Sequence, residues 1–227
     1  MTSHSAEDLQ RIYEARFRAT TAYRQQIWKV LIADFFQKFV KVTDVVLDLG
    51  CGYGEFINQI QCGSRFAMDL NPDAPRRVDA SVKCLLQDCS QTWPLPDMSL
   101  DVVFTSNFFE HLPDKASLGR TLDEIRRCLR PGGRLIALGP NIKYLPGAYW
   151  DFWDHYLPLT ELSLKEALEN RNFTILNCIP RFLPYTMAGG PQYPLFCLRL
   201  YLRLPVFWRM FGKQFLLVAQ KNSSLTP

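Results

Sequence analysis

Between residues 44 and 55 the chain reads DVVLDLGCGYGE, an apolar β-branched run that stops at three glycines in five residues. Such glycines let the chain turn sharply off a strand. They also let the backbone approach a ligand with no Cβ in the way, at the open carboxyl edge where α/β sheets hold cofactors. The turn gains weight from its setting. It follows a convincing strand, opens a predicted helix from about Gly54 to Ile60, and is answered by an acid, Asp69, 19 residues after Gly50 at the end of the next predicted strand. A carboxylate there is placed to take the two hydroxyls of a ribose, so the combination points to an adenosine-containing cofactor on a parallel sheet.

The rest of the chain keeps the same rhythm. Further strands are predicted at 65–70, 83–88, 100–106, 134–139, 173–179 and 214–220, with helices at 116–129, closed by Pro131-Gly132-Gly133, and at 161–170. Ile12, Phe17, Tyr23, Ile27, Val30 and Leu31 mark one or two amphipathic helices over 5–40. At 227 residues the chain suits one α/β domain with an appendage. The expected division is an N-terminal helical lid (1–40), a core (41–180), an insertion (181–213) and a last strand with its tail (214–227). Hydrophobic residues at 48% exclude global disorder. The seven cysteines are scattered and form no CxxC pair, so they read as reduced thiols rather than a disulfide framework or zinc site. No apolar signal core opens the chain and no run reaches the roughly 18–20 apolar residues of a membrane span, which makes the cytoplasm the expected compartment.

The runs VVLDLGCGYGEF, FAMDLNPD, LLQDCSQTWPLPDMSLDVVFTSNFFEHL and LRPGGRLIALGPN, taken in order, resemble the class I S-adenosylmethionine-dependent methyltransferases, in particular their small-molecule and ubiquinone-pathway branch. The resemblance spans about residues 40–180. It implies a Rossmann-like α/β fold: a seven-stranded, mostly parallel sheet with helices on both faces. It also implies S-adenosylmethionine as cofactor and S-adenosylhomocysteine as product. Gly50, Cys51, Gly52 and Gly54 would face the methionine part, with Asp48 arranging the loop. Asp69, with Leu70 beside it, would hold the ribose, Asp88 and Cys89 would border the adenine, and Asn107 and Phe108 would lie near the sulfonium. A nicotinamide dehydrogenase is the competing chemistry, but Glu55 stands where its turn needs a final glycine or alanine. A catalytically silent cofactor-binding subunit is the competing role.

Methyl transfer is an in-line displacement, so the protein aligns a nucleophile and removes its proton where it has one. His111, in Phe109-Glu110-His111-Leu112 after the fourth strand, and His155, in the loop after the fifth, are the candidate bases, with Glu110 beside them; His111 is preferred. Glu110-His111 also resembles the metal-binding segment of ubiquinone-pathway O-methyltransferases. Asn107 stands where that segment carries a further acid, so no metal is expected. The absence of a [DN]PPY motif after the fourth strand favours a hydroxyl or carboxylate acceptor over a planar amine, on a small or lipid-linked molecule, with a sugar-containing one among the options.

Two stretches are left over. The loop holding Tyr144, Tyr149, Trp150, Phe152, Trp153 and Tyr156 reads as a pocket wall. The insertion 181–213 carries five cations and no acid; all 22 Asp and Glu residues lie before residue 170, against 19 of the 26 Lys and Arg. Single cations interleaved with large apolar residues do not read as a nucleic-acid surface. With Arg199 and Arg203 one turn apart, no counter-charge nearby and Trp208 entering the lipid, the segment would lie peripherally on an anionic membrane. A cap over the substrate and a dimer contact stay open beside that reading, and no oligomeric state is implied.

Overall fold

The computed structural model describes residues 21–185 and 192–223. Seven strands, β1 Val45–Leu49, β2 Ser64–Asp69, β3 Val82–Leu86, β4 Leu100–Ser106, β5 Leu129–Pro140, β6 Phe173–Ile179 and β7 Gln214–Lys221, form one sheet. Their order is β3-β2-β1-β4-β5-β7-β6. The pairs from β3 to β5 are parallel, whereas β7 runs antiparallel to both β5 and β6. The helices are α1 Thr21–Asp34, α2 Ala74–Arg77, α3 Lys115–Cys128, α4 Glu161–Glu169, α5 Leu195–Arg203 and α6 Pro205–Phe211.

Successive strand side chains point to opposite faces, and the core divides accordingly. Leu47, Leu49, Leu135, Phe215 and Leu217 join α3 and α4 on one face. Val46, Ile136, Leu216 and Val218 join α1 and α5 on the other. Asp114 caps α3 by accepting the Ser117 N–H at 2.7 Å, after which Leu118, Leu122 and Ile125 fall on one buried face. Thr160 and Ser163 cap one another at the start of α4. On the opposite face Phe182 is fully buried, tilted against Phe35 at 4.5 Å and edge-on to Trp208 at 5.1 Å. Truncating a residue packed like this to Ala typically costs about 3–5 kcal/mol.

Several expectations change. Residues 54–60 form a series of turns rather than a helix. Asn58 N–H still reaches the Gly54 carbonyl and Ile60 N–H that of Phe56. The ladder breaks at Ile57, whose N–H goes to Asp48, and at Gln59, whose N–H goes to the Phe56 carbonyl at 3.1 Å while its side chain donates to the Glu55 carbonyl at 2.8 Å. Strand β5 begins at Leu129, five residues early, and absorbs Pro131-Gly132-Gly133 as an irregularity opposite β4. Of the N-terminal helical segment, Ile12, Phe17 and everything else before residue 21 lie outside the described residues; α1 packs on the sheet, with Trp28 edge-on to Phe104 at 5.9 Å.

The insertion carries α5 and α6, and two details of its reading differ. Arg199 does have a counter-charge, Asp34 of α1, at 3.6 Å. Trp208 points inward: its ring packs on Phe35 and Phe182, and its Nε1 donates to the Tyr201 carbonyl at 2.8 Å. No helix among the described residues is long and apolar enough to cross a membrane.

Candidate active site

At the end of β1 the chain takes positive φ at Gly50 (69°), Gly52 (53°) and Gly54 (73°). The turn is held by local bonds: Gly50 N–H donates to the Met68 carbonyl at 2.8 Å and Gly52 N–H to Asp69 Oδ2 at 2.7 Å. A Cβ on Gly50 would sit 2.3 Å from the Phe108 ring, so the loop and the residue after β4 meet only because the side chain is missing. Asp48 is buried beneath the loop. Burial, with Glu55 and Asp69 nearby, pushes its carboxyl well above the usual range, against the pull of the Ile57 N–H it accepts. Glu55 is bound in turn by Arg24 of α1 at 2.9 Å.

Asp69 closes this edge. Its Oδ1 accepts the Asn71 N–H at 2.8 Å. Burial raises its pKa, against the main-chain N–H groups it accepts and the charge of His111. Leu70 is exposed at the rim. Asp88 spends one oxygen on the Ser90 N–H. The Cys89 thiol turns away into the core against Thr121 Oγ1 at 3.3 Å, so this position can offer a ligand only its main chain. The Cys51 thiol is likewise buried, sharing a hydrogen bond with Cys84, and its pKa is pushed far up.

Three observations fit an adenosine-containing cofactor. The Gly50 turn leaves open backbone at the carboxyl edge of the sheet. Asp69 accepts the main-chain N–H groups of Gly52, Asn71 and Leu70, which leaves about one of a carboxylate's roughly four acceptor positions for a hydroxyl. Asn107 holds a strained φ of 50°, and its Oδ1, like Asn71 Nδ2, is buried with no hydrogen-bond partner among the described residues.

The second edge is assembled at long range. Tyr156 and Leu157 donate their N–H groups to the Glu110 carbonyl at 2.8 and 3.0 Å, which docks the aromatic loop onto the residues after β4. Asp154 is thereby brought to His111: the imidazole Nδ1 lies 2.8 Å from its carbonyl and 3.2 Å from its Oδ2. A carbonyl only accepts, so Nδ1 carries the hydrogen and Nε2 of the neutral ring presents its lone pair. Burial disfavours the imidazolium, but Asp154 and Glu110 outweigh it and raise the His111 pKa above its ordinary value. Glu110 is itself buried, which pushes its carboxyl up to about 7 although His111 pulls it down. His155 is more enclosed, with Phe152 stacked on it at 4.8 Å, Tyr149 at 4.7 Å and the His111 ring at 5.0 Å.

The aromatic loop therefore divides. Tyr149 and Phe152 wall the histidines, whereas Trp153 stays 83% exposed and Trp150 and Tyr156 are also exposed. Tyr144 instead stacks under Arg181. The ligand atoms of Glu110, His111 and His155 lie within 4.8 Å of one another, so the site offers three metal donors, and Asp154 on the far nitrogen of His111 suits such a role. The expectation of no metal rests on Asn107 alone; His155, from another loop, is a third potential donor beside Glu110 and His111. The sequence reading also missed Asp154 as the partner of His111; its one signal was an acid beside a histidine in the loop after β5.

Fold and site together are similar to those of the class I methyltransferases, proteins that use S-adenosylmethionine. Residues 47–137 match the family described as Methyltransferase domain. A probable S-adenosylmethionine-dependent methyltransferase of Mycolicibacterium smegmatis is 32% identical over 136 residues, 57% of this chain and 52% of that one. The chain spans roughly two to three fifths of the length of the first curated relatives it matches. Among solved structures, an S-adenosylmethionine-dependent methyltransferase of Archaeoglobus fulgidus superimposes with TM-score 0.63 at 22% identity, over 92% of this chain and 98% of that one. A chain of the Haloferax volcanii complex between the Trm112 methyltransferase activator and its methyltransferase does so with TM-score 0.67 at 19% identity, over 92% and 96%. These likenesses establish the fold.

Proposed function

We propose that the protein transfers a methyl group from S-adenosylmethionine to a hydroxyl or carboxylate oxygen of a small or lipid-linked acceptor, with His111 as the base. The observation that carries the reading is the Asp154–His111 contact, which fixes the tautomer with Nε2 as acceptor beside the cofactor edge. When bound, the cofactor supplies a methyl group on positively charged sulfur. Gly50, Gly52 and Asp69 bind and orient it, with Asn107 and Phe108 facing its reactive end. His111 takes the proton of a hydroxyl acceptor at Nε2, and Asp154 holds the ring and stabilises the imidazolium that forms; a carboxylate acceptor is already ionised and gives up no proton. Tyr149 and Phe152 exclude water from the far side of the histidines.

The test incubates the purified protein and labelled S-adenosylmethionine with separate lipid and aqueous extracts, then follows the label by phase partition and base-labile release. Label in a stable ether or a base-labile ester supports the reading. Label in an amine product, or none above a D69A control, overturns it.

A further inference from the structure

We infer that α5 and α6 form a docking face for an anionic lipid bilayer, independent of the methyl-transfer reading. The two helices are two-sided. Leu198, Tyr201, Leu202 and Trp208 pack inward on the α1 face of the sheet. The outer side carries Phe196 (67% exposed), Leu200, Val206, Met210 (59% exposed) and Phe211. Large apolar side chains so concentrated on two consecutive short helices, projecting outward, mark a surface built to meet something.

Charge complementarity selects the occupant. Arg199 is paired with Asp34, and Arg181 is spent on the Met210 and Gly212 carbonyls. That leaves Arg203, Arg209 and Lys213, with which no carboxylate pairs among the described residues, and no acid follows Glu169 in the sequence. Cations with long stems flanking an apolar ridge on a helix lying flat are what an anionic interface favours, the stems crossing apolar surface while the heads stay at the phosphates. Trp208 takes no part, being packed inward.

The whole chain is sedimented with vesicles of two parts phosphatidylcholine to one part phosphatidylserine, and with phosphatidylcholine alone. Wild type should pellet with the first at low salt, be released at high salt as screening shortens the reach of the charges, and ignore the second. The R203E/R209E variant should lose about a hundredfold in partitioning, and F196S/M210S about tenfold. Both should keep wild-type melting and affinity for S-adenosylhomocysteine, which shows that they fold. Wild type left in the supernatant at low salt overturns the proposal, as does pelleting that neither variant weakens. A concentration-dependent dimer that F196S/M210S dissociates, without vesicle binding, overturns it in favour of contact between copies. Capture of a protein partner with no vesicle binding overturns it equally.

Discussion

The cofactor edge and the acceptor edge of the site are built at different sequence ranges. The first is closed by bonds such as Gly52 to Asp69, 17 residues apart, within one strand–turn–strand unit. The second joins His111 to Asp154 across 43 residues, through a loop docked on the Glu110 carbonyl. A short-range edge is written in a compact motif and varies little in shape. A long-range edge depends on how a loop lands, so acceptor choice can change there without disturbing the cofactor. The two edges should therefore fail separately when mutated, and the electrostatic reach of His111 to Asp69 is where that separation is weakest.

The largest effect tests the acceptor edge. H111A should lower turnover by about 10²–10⁴-fold with cofactor affinity nearly unchanged, whereas H155A should cost less than about tenfold. Steady-state rates with calorimetry of S-adenosylhomocysteine decide this. Equal losses in both variants, with bound zinc or another divalent ion in the wild type that the variants lack, would instead assign the three donors to a metal.

D69A should weaken S-adenosylhomocysteine by about 10–100-fold, the scale of hydrogen bonds to a charged group. G50A should weaken it too, since the new methyl meets the Phe108 ring at a positive φ. Titration of both against NADH as a second ligand checks the class: NADH binding comparable to that of S-adenosylhomocysteine would contradict it.

D154N addresses the pH dependence. With His111 as the proposed base, turnover would need it neutral, so the wild-type rate should rise with pH through a midpoint above the ordinary histidine value. Removing the carboxylate should move that midpoint down and lower the plateau. A pH–rate profile that keeps its midpoint would detach Asp154 from the role.

The smallest effect is on stability. Glu110 has a folded pKa near 7, above its unfolded value. Folding therefore favours its protonated form, and this contribution is present below about pH 4 and lost as pH rises through 7. Replacing it with Gln removes the dependence, so the melting temperature of E110Q relative to wild type should climb by a few degrees between pH 5 and 8. A constant difference would place the carboxylate in a wetter setting.

The same contrast explains what was legible in the sequence. Strand β6 lies at 173–179 as read, and β4 at 100–106; the apolar run of β4 is almost wholly buried, whereas β6, at the sheet edge, buries only Phe173 and was legible from its strand-forming residues between turns. The glycine turn and Asp69 were legible because their partners are local. The helix at 54–60 was misread because the Ile57 and Gln59 N–H groups bond Asp48 and Phe56 rather than carbonyls four residues back, which periodicity does not register. Tyr149 and His155 were legible as a pocket wall and a candidate base, but the contacts of Asp154, Tyr149 and His155 around His111 were not, because they form only when the loop docks on Glu110. Trp208 was placed in lipid because composition cannot say which side of a helix meets Phe182.

The first turn of α1 touches both extremes of the molecule. Tyr23 Oη donates to the Tyr193 carbonyl at 2.8 Å, just before α5, and one residue later Arg24 grips Glu55 in the glycine turn. Were a bilayer to order this turn, thermodynamic linkage would make its effect on the cofactor loop equal in both directions. The factor by which vesicles tighten S-adenosylhomocysteine must match the factor by which S-adenosylhomocysteine tightens vesicles, and cutting the Arg24–Glu55 pair should bring both toward one.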